Sequence, residues 1–323
     1  MPFFDLAPAA LLTYRPEVAT PADFDEFWAR TLREARAAGG PVVATPYDAA
    51  LSQVEVFDLV FPGFGGDPVR AWFTLPRGVD GPLPTVIQYN GYGGGRGLPH
   101  EHLAWASAGY AHLFMDTRGQ GSAWGAGGET ADPHGTGPSH PGFMTRGIEH
   151  QDDYYFRRVY TDGVRLVDAA RTLDRVDPDR IAVTGGSQGG GIAIAVAGLV
   201  DGLVGVMPDV PFLQHFERAI GLTGSDPYGE IVRYLSIHRG AAARVYETLS
   251  YVDGVSFASR ATAPALFSVA LMDPVCPPST VYASANAWGA AVEIEEYAFN
   301  QHEGGQAFQW VRQARWLADV LGR

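Results

Sequence analysis

Residues 180–200 read RIAVTGGSQGGGIAIAVAGLV, and their pattern is the most informative about the fold. Its first residues predict a β-strand and its last ones an apolar helix, and five glycines surround Ser187 in the turn between them. Glycine in regular structure costs about 0.5–1 kcal/mol relative to alanine, so this turn must require a bare backbone. Gly185, Ser187 and Gly189 match G-x-S-x-G, in which a nucleophilic serine occupies a strained strand-to-helix turn.

Two other interpretations of this turn are weaker. Ser187 would have a purely structural role if it only capped the helix that follows. A glycine-rich turn between a strand and a helix is also typical of dinucleotide sites. The stretch lacks the G-x-G-x-x-G spacing, however, and no acidic residue stands where such a site needs one after the next strand. We therefore interpret Ser187 as a nucleophile.

The rest of the chain alternates between strand and helix patterns. Residues 22–38 predict a helix with one aromatic and aliphatic face, and the period-two patterns of VEVFDLVF and VRAWFTLP predict a β-hairpin after it. Later strand-like runs alternate with helical stretches, which predicts an α/β fold whose mostly parallel sheet carries helices on both faces. These runs are TVIQYN, YAHLFMD, RIAVTG, LVGVMPDV, APALFSVALMD and VEIEEYAF.

The chain of 323 residues is predicted to form a single α/β-hydrolase domain, residues 1–323, with two long insertions. Residues 118–158 are rich in glycine, proline and aromatic residues, whereas residues 210–262 predict short helices. Long segments of this kind in a compact domain usually shape a site or an interface. We expect the insertions to shape the functional site and an oligomer interface.

The composition excludes several classes of function. The formal net charge of −13 would repel nucleic acid and anionic membrane surfaces. All 23 basic residues are arginine, so the chain has no lysine to form a Schiff base, anchor pyridoxal phosphate or bind phosphate in a P-loop. One cysteine rules out an intrachain disulfide and a multi-cysteine zinc site, and fits a reducing compartment. We expect no cofactor and no metal.

The amino terminus and the apolar runs predict a cytoplasmic protein without a membrane partner. The first residues lack the basic segment and the cleavage site of a signal peptide. The longest apolar run, GGGIAIAVAGLV, is far shorter than the ~20 residues that a membrane helix requires.

His302 is the predicted base. A serine hydroxyl becomes a good nucleophile when a base removes its proton, and an acid must hold that base in the right tautomer. His302 follows the last predicted strand, in EEYAFNQHEGG, at the end of the sheet where such folds carry reactive groups. His238 lies inside the helical insertion and is the weaker candidate.

Two aspartates are candidates for the acid. Asp273 ends the run APALFSVALMD, and Asp209 ends the run LVGVMPDV apart from one valine. Adjacency favours Asp273, because its strand immediately precedes the strand that leads to His302. Asp209 remains the alternative, and we otherwise expect it to build the pocket wall or hold a loop.

The loop QYNGYGGGRG, residues 88–97, predicts an oxyanion hole. Such a hole needs two backbone donors, one from the residue after the nucleophile and one from a loop near the centre of the sheet. Gln188 is the first of these, and Tyr92 is our candidate for the second. The alternative interpretation of the loop is an ordinary glycine-rich turn.

Two other groups of residues attract attention but are not predicted to be functional. His100, Glu101 and His102 resemble metal ligands, yet their spacing on a predicted helix points the two imidazoles to different faces, and H-E-x-x-H is absent. Cys276 is expected to be a small buried apolar group rather than a nucleophile.

Three motifs together resemble the signature of a known family. DTRGQGS at 116–122, GGSQGGG at 185–191 and HEGG at 302–305 are similar to those of carbohydrate esterase family 7, the acetyl xylan esterases and cephalosporin C deacetylases of the α/β-hydrolase superfamily. The resemblance extends over nearly the whole chain and includes PGFMTRGI, DVPFL and LMDPVCPPST.

The resemblance implies a role for each candidate residue. It makes Ser187, Asp273 and His302 the catalytic triad and the amides of Tyr92 and Gln188 the oxyanion hole, in agreement with the strand-order argument.

The implied reaction is the removal of acetyl groups from acetylated xylo-oligosaccharides and small acetylated molecules such as cephalosporin C, through an acetyl-enzyme. A homo-oligomer is also implied, a hexamer built as a dimer of trimers. Arg118 and Gln120 are expected to hold loops around the site. Two alternatives stay open, an α/β-hydrolase acting on a lactone or a peptide and a non-catalytic binding protein on the same scaffold.

Overall fold

A sheet of nine strands forms the centre of the computed structural model, which describes residues 3–135 and 137–323. Its spatial order is β1-β2-β3-β5-β4-β6-β7-β8-β9. The strands are β1 (Val43–Tyr47), β2 (Val54–Pro62), β3 (Pro68–Pro76), β4 (Leu83–Tyr89), β5 (Ala111–Met115), β6 (Val176–Gly186), β7 (Leu203–Asp209), β8 (Ala265–Ala270) and β9 (Val292–Tyr297).

The helices lie between and around these strands. None in residues 3–135 or 137–323 has both the length and the apolar character needed to cross a membrane. They are α1 (Pro8–Leu11), α2 (Phe24–Ala38), α3 (Ala104–Ser107), α4 (Tyr155–Ala170), α5 (Gln188–Leu199), α6 (Phe216–Leu222), α7 (Tyr228–Ile237), α8 (Ala242–Ser250), α9 (Gly254–Ala258), α10 (Pro278–Ala287) and α11 (Gln306–Val320).

The predicted mostly parallel sheet flanked by helices is confirmed. From β5 through β4 and on to β9 every pairing is parallel, whereas β1, β2 and β3 join in antiparallel fashion at one side. Successive side chains of a strand point to opposite faces. Accordingly, Ile87 and Val183 belong to the core that contains α4 and α5, while Val86 and Ala182 pack in the core that contains Trp316 of α11.

The amino-terminal part differs from the prediction by one strand. The predicted helix and hairpin are α2, β2 and β3, but β1 adds a third antiparallel strand at the edge of the sheet. All five residues of β1 are exposed and Pro46 lies within it, so the segment lacks the alternation that marks a strand. Proline is tolerated there because an edge strand leaves backbone donors unpaired.

The two insertions have different structures. Residues 118–154 contain no helix or strand among those the structure describes, and the range predicted for the first insertion runs into α4, which begins at Tyr155. Residues 210–262 contain the four short helices α6 to α9.

A buried arginine fixes the start of the first insertion. The Nε and Nη2 atoms of Arg118 donate to the two carboxylate oxygens of Asp162 on α4, at 2.6 and 2.7 Å. Its Nη1 donates to Asp67 at 2.9 Å. A buried charge requires such pairing, and breaking a buried pair is strongly destabilising. Arg118 therefore ties the insertion to the main body of the fold.

The parallel part of the sheet brings the predicted site residues to one edge. The strands β4, β6, β7, β8 and β9 all point the same way, and their carboxyl ends carry the loops that contain these residues. Such an edge is where ligands bind in open α/β sheets.

Candidate active site

Ser187 occupies a strained backbone position between β6 and α5. Its φ of 55° and ψ of −117° are rarely adopted by a residue with a side chain. The Ser187 amide donates to the Asp209 carbonyl at 2.9 Å, and the Ser187 carbonyl accepts from the amide of Phe212 at 2.9 Å. These bonds to the last residue of β7 and to the chain after it hold the conformation.

Four of the five glycines around Ser187 have backbone of another segment or turn close against them, and Gly186 is the exception. A Cβ on Gly189 would sit 2.1 Å from the carbonyl oxygen of Tyr89, and a Cβ on Gly185 would sit 2.4 Å from the carbonyl carbon of Gly189. No side chain fits at those distances. The glycines thus let β4, the serine turn and the start of α5 pack closely together.

The structure brings Ser187, His302 and Asp273 together in one hydrogen-bonded chain. Nε2 of His302 lies 3.0 Å from Oγ of Ser187, and Nδ1 lies 2.9 Å from Oδ2 of Asp273. With its proton on Nδ1, the imidazole donates to Asp273 and accepts from the serine hydroxyl. This is the arrangement of a serine nucleophile, a base and an orienting acid.

Asp273 is fully buried and its second oxygen is also occupied. Oδ1 accepts from the amides of Val275 and Cys276 at 2.8 and 3.0 Å, which leaves Oδ2 directed at His302. The sequence predicts Asp273 at the end of a strand, but β8 ends at Ala270. Asp273 lies in the turn after it, where its side chain can reach backbone amides as well as the imidazole.

Two other histidines beyond Ser187 are engaged elsewhere. The ring of His238 stacks on Tyr234 with centroids 4.2 Å apart. His215, which the sequence analysis did not weigh, stacks on Tyr14 at 6.1 Å, and burial lowers its pKa to about 4. Neither is hydrogen-bonded to Ser187, and His302 is the histidine that reaches it.

Asp209 serves a different part of the site. Both of its carboxylate oxygens accept from Nε2 of Gln313 on α11, at 2.9 Å each. Burial raises the pKa of Asp209 to about 7. Its side chain therefore connects β7 to α11, while its carbonyl holds the amide of Ser187.

The two predicted oxyanion donors lie in separate segments, one at the start of α5 and one in the loop after β4. Gln188 is the first residue of α5, where an N–H has no acceptor within the helix. Tyr92 lies in the loop after β4 and lines the same cavity as Ser187. Nε1 of Trp124 donates to the Tyr92 carbonyl at 2.7 Å, which orients the peptide between Tyr92 and Gly93.

The Gln120 side chain connects these two backbone segments. Its Nε2 donates to Oε1 of Gln188 at 2.8 Å, and its Oε1 accepts from the amide of Gly93 at 2.7 Å. Nε2 of Gln188 in turn donates to the carbonyl of Asn90 at 3.2 Å. The loop after β4 and the start of α5 are thus held in register by a pair of buried amides.

A cavity of about 620 Å³ opens over the serine. Both insertions contribute to its wall, the first through Trp124 and the second through Asp226 and Pro227. Other residues that line it are Gln88, Tyr92, Ser187, Asp209, Val275, His302 and Glu303. The volume is typical of sites for small molecules.

Sequence reasoning missed two residues of this site. Trp124 is half exposed, and its indole packs against bare backbone at Gly91 and Gly94. A tryptophan in a glycine-rich insertion was a usable signal. Glu230, whose carboxylate accepts from the Tyr92 hydroxyl at 2.7 Å, had none, because it is one of 36 acidic residues and lies on a helix far along the chain.

The residues with metal-ligand chemistry do not form a separate centre. Within the described ranges, Asp273, Cys276 and His302 place one ligand-type atom each within 4.8 Å of one another. Burial raises the pKa of the Cys276 thiol well above its usual range, which disfavours the thiolate that binds metals. Asp273 and His302 are bonded to each other, so this group belongs to the hydrogen-bonded chain at Ser187.

The region around His100 is not the helix that was expected. Pro99–Glu101 form a single 3-10 turn, and the His102 ring stacks on Phe114 with centroids 3.6 Å apart. Nε2 of His102 lies 3.0 Å from the carbonyl oxygen of Arg96. These contacts indicate that His102 has a packing role.

Comparison with known proteins places these features in context. The family described as Acetyl xylan esterase (AXE1) matches residues 1–320. The structure of an acetyl xylan esterase from Paenibacillus sp. R4 is 36% identical with a TM-score of 0.90, over 97% of this chain and 99% of that one. Acetyl xylan esterase 1 from Thermoanaerobacterium sp. JW/SL YS485 is 31% identical with a TM-score of 0.90, over 98% and 99%.

A longer relative matches more weakly. The acetyl esterase Axe7A of Xylanibacter ruminicola is 26% identical over an alignment of 307 positions that covers 89% of this chain. The chain spans 65% of the length of that relative.

The Asp209 carboxyl predicts a pH dependence of stability. Its pKa is about 7 in the folded state, against 3.8 for an unperturbed aspartate, so the folded state holds a proton that the unfolded state has released. The free energy of unfolding should therefore fall as the pH rises from about 4 to about 7, and Asp209→Asn should remove this contribution.

Chemical denaturation of the wild type and Asp209→Asn between pH 4 and 8 measures the contribution of Asp209 to the free energy of unfolding. The difference between the two proteins should change across that window and level off above it. Asp253, whose pKa burial raises to about 6, is present in both and cancels from the difference. A difference that stays constant from pH 4 to 8 would contradict the assignment.

Proposed function

The chain belongs to the acetyl xylan esterase (AXE1) family of carboxylic ester hydrolases, and from this membership we propose that it removes acetyl groups from acetylated xylo-oligosaccharides and similar small esters. The observation that carries the proposal is the hydrogen-bonded chain from Ser187 through His302 to buried Asp273, open to a cavity of about 620 Å³.

The first half of the reaction forms an acetyl-enzyme. Nε2 of His302 takes the proton of the Ser187 hydroxyl as Oγ attacks the acetyl carbonyl carbon, and Asp273 stabilises the resulting imidazolium. The imidazolium then gives its proton to the departing sugar oxygen. Without Asp273, the imidazole would be free to adopt the other tautomer, in which Nε2 carries a hydrogen and cannot accept one.

The oxyanion that develops on the acetyl oxygen needs donors already in place. The amides of Tyr92 and Gln188 are our assignment for this role, supported by their positions beside the serine turn. The amino-terminal end of α5 points at the same region and adds a favourable dipole. Donors that need no rearrangement at the moment of reaction stabilise the transition state more than the bound ester.

The second half of the reaction releases acetate. A water molecule gives its proton to Nε2 of His302 and attacks the acetyl carbonyl carbon through the same oxyanion. His302 then returns the proton to Oγ of Ser187 as the ester bond breaks. All steps use side chains and amides of this chain.

The cavity lies within the single domain that we propose for the chain, and it suits a small substrate. We assign its walls to the two insertions, since Trp124, Asp226 and Pro227 line it together with Ser187. Its volume suits a short acyl chain and a small sugar, which agrees with deacetylation of short oligosaccharides. Small acetylated molecules such as cephalosporin C belong to the same proposal.

Replacement of the nucleophile tests this proposal. Ser187→Ala should lower kcat for p-nitrophenyl acetate by at least about 10⁴-fold, because attack by Oγ is then lost. Ser250, the half-buried last residue of α8, does not line the cavity over Ser187, so Ser250→Ala is the matched control and should retain wild-type kcat. In the wild type, an organophosphate should label Ser187, as located by mass spectrometry. Activity that persists in Ser187→Ala, or a label on another residue, would refute the assignment.

A substrate panel distinguishes the acetyl esterase from the alternatives. Rates with acetylated xylo-oligosaccharides, cephalosporin C, longer acyl esters, a lactone and a peptide amide are compared under one set of conditions. We expect a steep fall beyond short acyl groups and negligible amide cleavage. Comparable rates on the lactone or the amide would instead favour the second hydrolase function.

We also propose a homo-oligomer, a hexamer by the family resemblance. Phe299 and Phe308 are 81% and 83% exposed and flank the loop of His302, so an assembly would cover apolar groups close to the site. Sedimentation equilibrium should yield six times the mass of one chain. A monomer at micromolar concentration would contradict this proposal and leave the reaction untouched.

A further inference from the structure

The side chain of Tyr92 is held by both insertions. Its hydroxyl donates to Oε1 of Glu230 at 2.7 Å and accepts from the amide of Phe143 at 2.6 Å. Oε2 of Glu230 accepts from the amide of Met144 at 3.0 Å. We call Tyr92, Glu230, Phe143 and Met144 the Tyr92 clamp, because these bonds join the loop after β4, the first insertion and helix α7.

The Glu230 carboxylate is buried at a position where a glycine leaves room for it. The residue is 5% exposed, and burial raises the pKa of its carboxyl. A Cβ on Gly142 would lie 2.1 Å from Oε2, so a bare backbone admits the carboxylate there. Burying such a group is unfavourable unless its oxygens are hydrogen-bonded. Both oxygens of Glu230 are bonded, and one of the donors is Tyr92.

The ring of Tyr92 and the partner segment are also fixed by packing. Phe143 and Phe212 approach the Tyr92 ring edge-on, at 5.5 and 6.2 Å between centroids. The hydroxyl of Tyr154, next to α4, donates to the Met144 carbonyl at 2.9 Å. The clamp is therefore anchored in the core rather than in a free loop.

The backbone of Tyr92 needs such an anchor. Gly91, Gly93 and Gly94 surround it, and Gly93 has a φ of 82°. Glycines leave the peptide many accessible conformations, whereas an oxyanion donor must be held at one position. The Trp124 indole fixes the carbonyl of Tyr92, and the clamp fixes its side chain.

We propose that Glu230 is a positioning residue for ester hydrolysis, which holds the Tyr92 side chain so that the Tyr92 amide stays directed at the oxyanion. The proposal rests on the proposed function, since it assigns the Tyr92 amide to the oxyanion hole. Loss of the clamp should weaken transition-state stabilisation while ester binding in the ground state changes little.

A double-mutant cycle tests the proposal. Glu230→Gln keeps the size of the side chain but replaces one acceptor oxygen with an NH2 group, so the side chain can no longer accept from both Met144 and Tyr92. Tyr92→Phe removes the hydroxyl alone. Each should lower kcat for p-nitrophenyl acetate about 10-fold or more with KM changed less than about 3-fold, since a displaced donor is less costly than a deleted one. The double variant should be no slower than the slower single one.

Helix α7 provides a matched control. The hydroxyl of Tyr234 donates to Oε1 of Glu149 at 3.0 Å, away from the loop after β4. Glu149→Gln and Tyr234→Phe make the same chemical changes in a tyrosine–glutamate pair on this helix. Both variants should keep kcat within about 2-fold of wild type, because this pair has only a structural role.

A boronic acid inhibitor separates positioning from general destabilisation. Its adduct with Ser187 places an oxygen in the oxyanion hole, so Ki should rise in Glu230→Gln by about the factor by which kcat falls. Organophosphate titration counts the folded sites and corrects kcat for them. If Glu230→Gln does not fold, Glu230→Asp and Tyr92→Phe provide the same comparison, because a shorter carboxylate also loses the Tyr92 hydroxyl.

Three results would overturn the proposal. They are wild-type kcat in Glu230→Gln per titrated site, fully additive losses in the cycle, and a fall in kcat with no change in the boronate Ki. Failure of the proposed function is a different result, because the wild type would then resist the organophosphate or Ser187→Ala would stay active.

Discussion

The structure depends on one constraint, the backbone conformation at Ser187. A φ of 55° is unfavourable for serine, and it persists because the amide and carbonyl of Ser187 are bonded to the last residue of β7 and to the chain after it. Gly189 allows the carbonyl of Tyr89 to come within a distance that any side chain would prevent. The result is a serine that lines the cavity with its hydroxyl 3.0 Å from Nε2 of His302.

Everything else at the site is arranged around that fixed hydroxyl. Parallel strands deliver His302 and Asp273 to the same edge, and backbone amides leave one oxygen of Asp273 for the imidazole. The insertions hold the loop after β4, to which we propose to assign one oxyanion donor. Gln120 bonds it to Gln188, and Glu230 holds the Tyr92 side chain. The rigid strands and the contacts from the insertions thus both hold the residues of the site in place.

The strand-helix alternation predicted the mostly parallel sheet, and because the carboxyl ends of parallel strands share one edge, it also predicted that Ser187, Asp273 and His302 lie near each other. The structure departs from the prediction where tertiary packing decides. Strand β1 has no alternation, since it lies exposed at the edge. Asp209 carries the same pattern as Asp273 but bonds Gln313. Glu230 meets Tyr92 across 138 residues, a contact that local pattern does not encode.

In the proposed reaction, Asp273 orients His302 so that Nε2 can take the proton of Ser187. This role is tested by kcat of Asp273→Asn on p-nitrophenyl acetate, together with its free energy of unfolding. An amide at Oδ2 would favour the imidazole tautomer with hydrogen on Nε2, so kcat should fall about 10⁴-fold in a protein that remains folded. A folded Asp273→Asn with kcat within tenfold of wild type would contradict it.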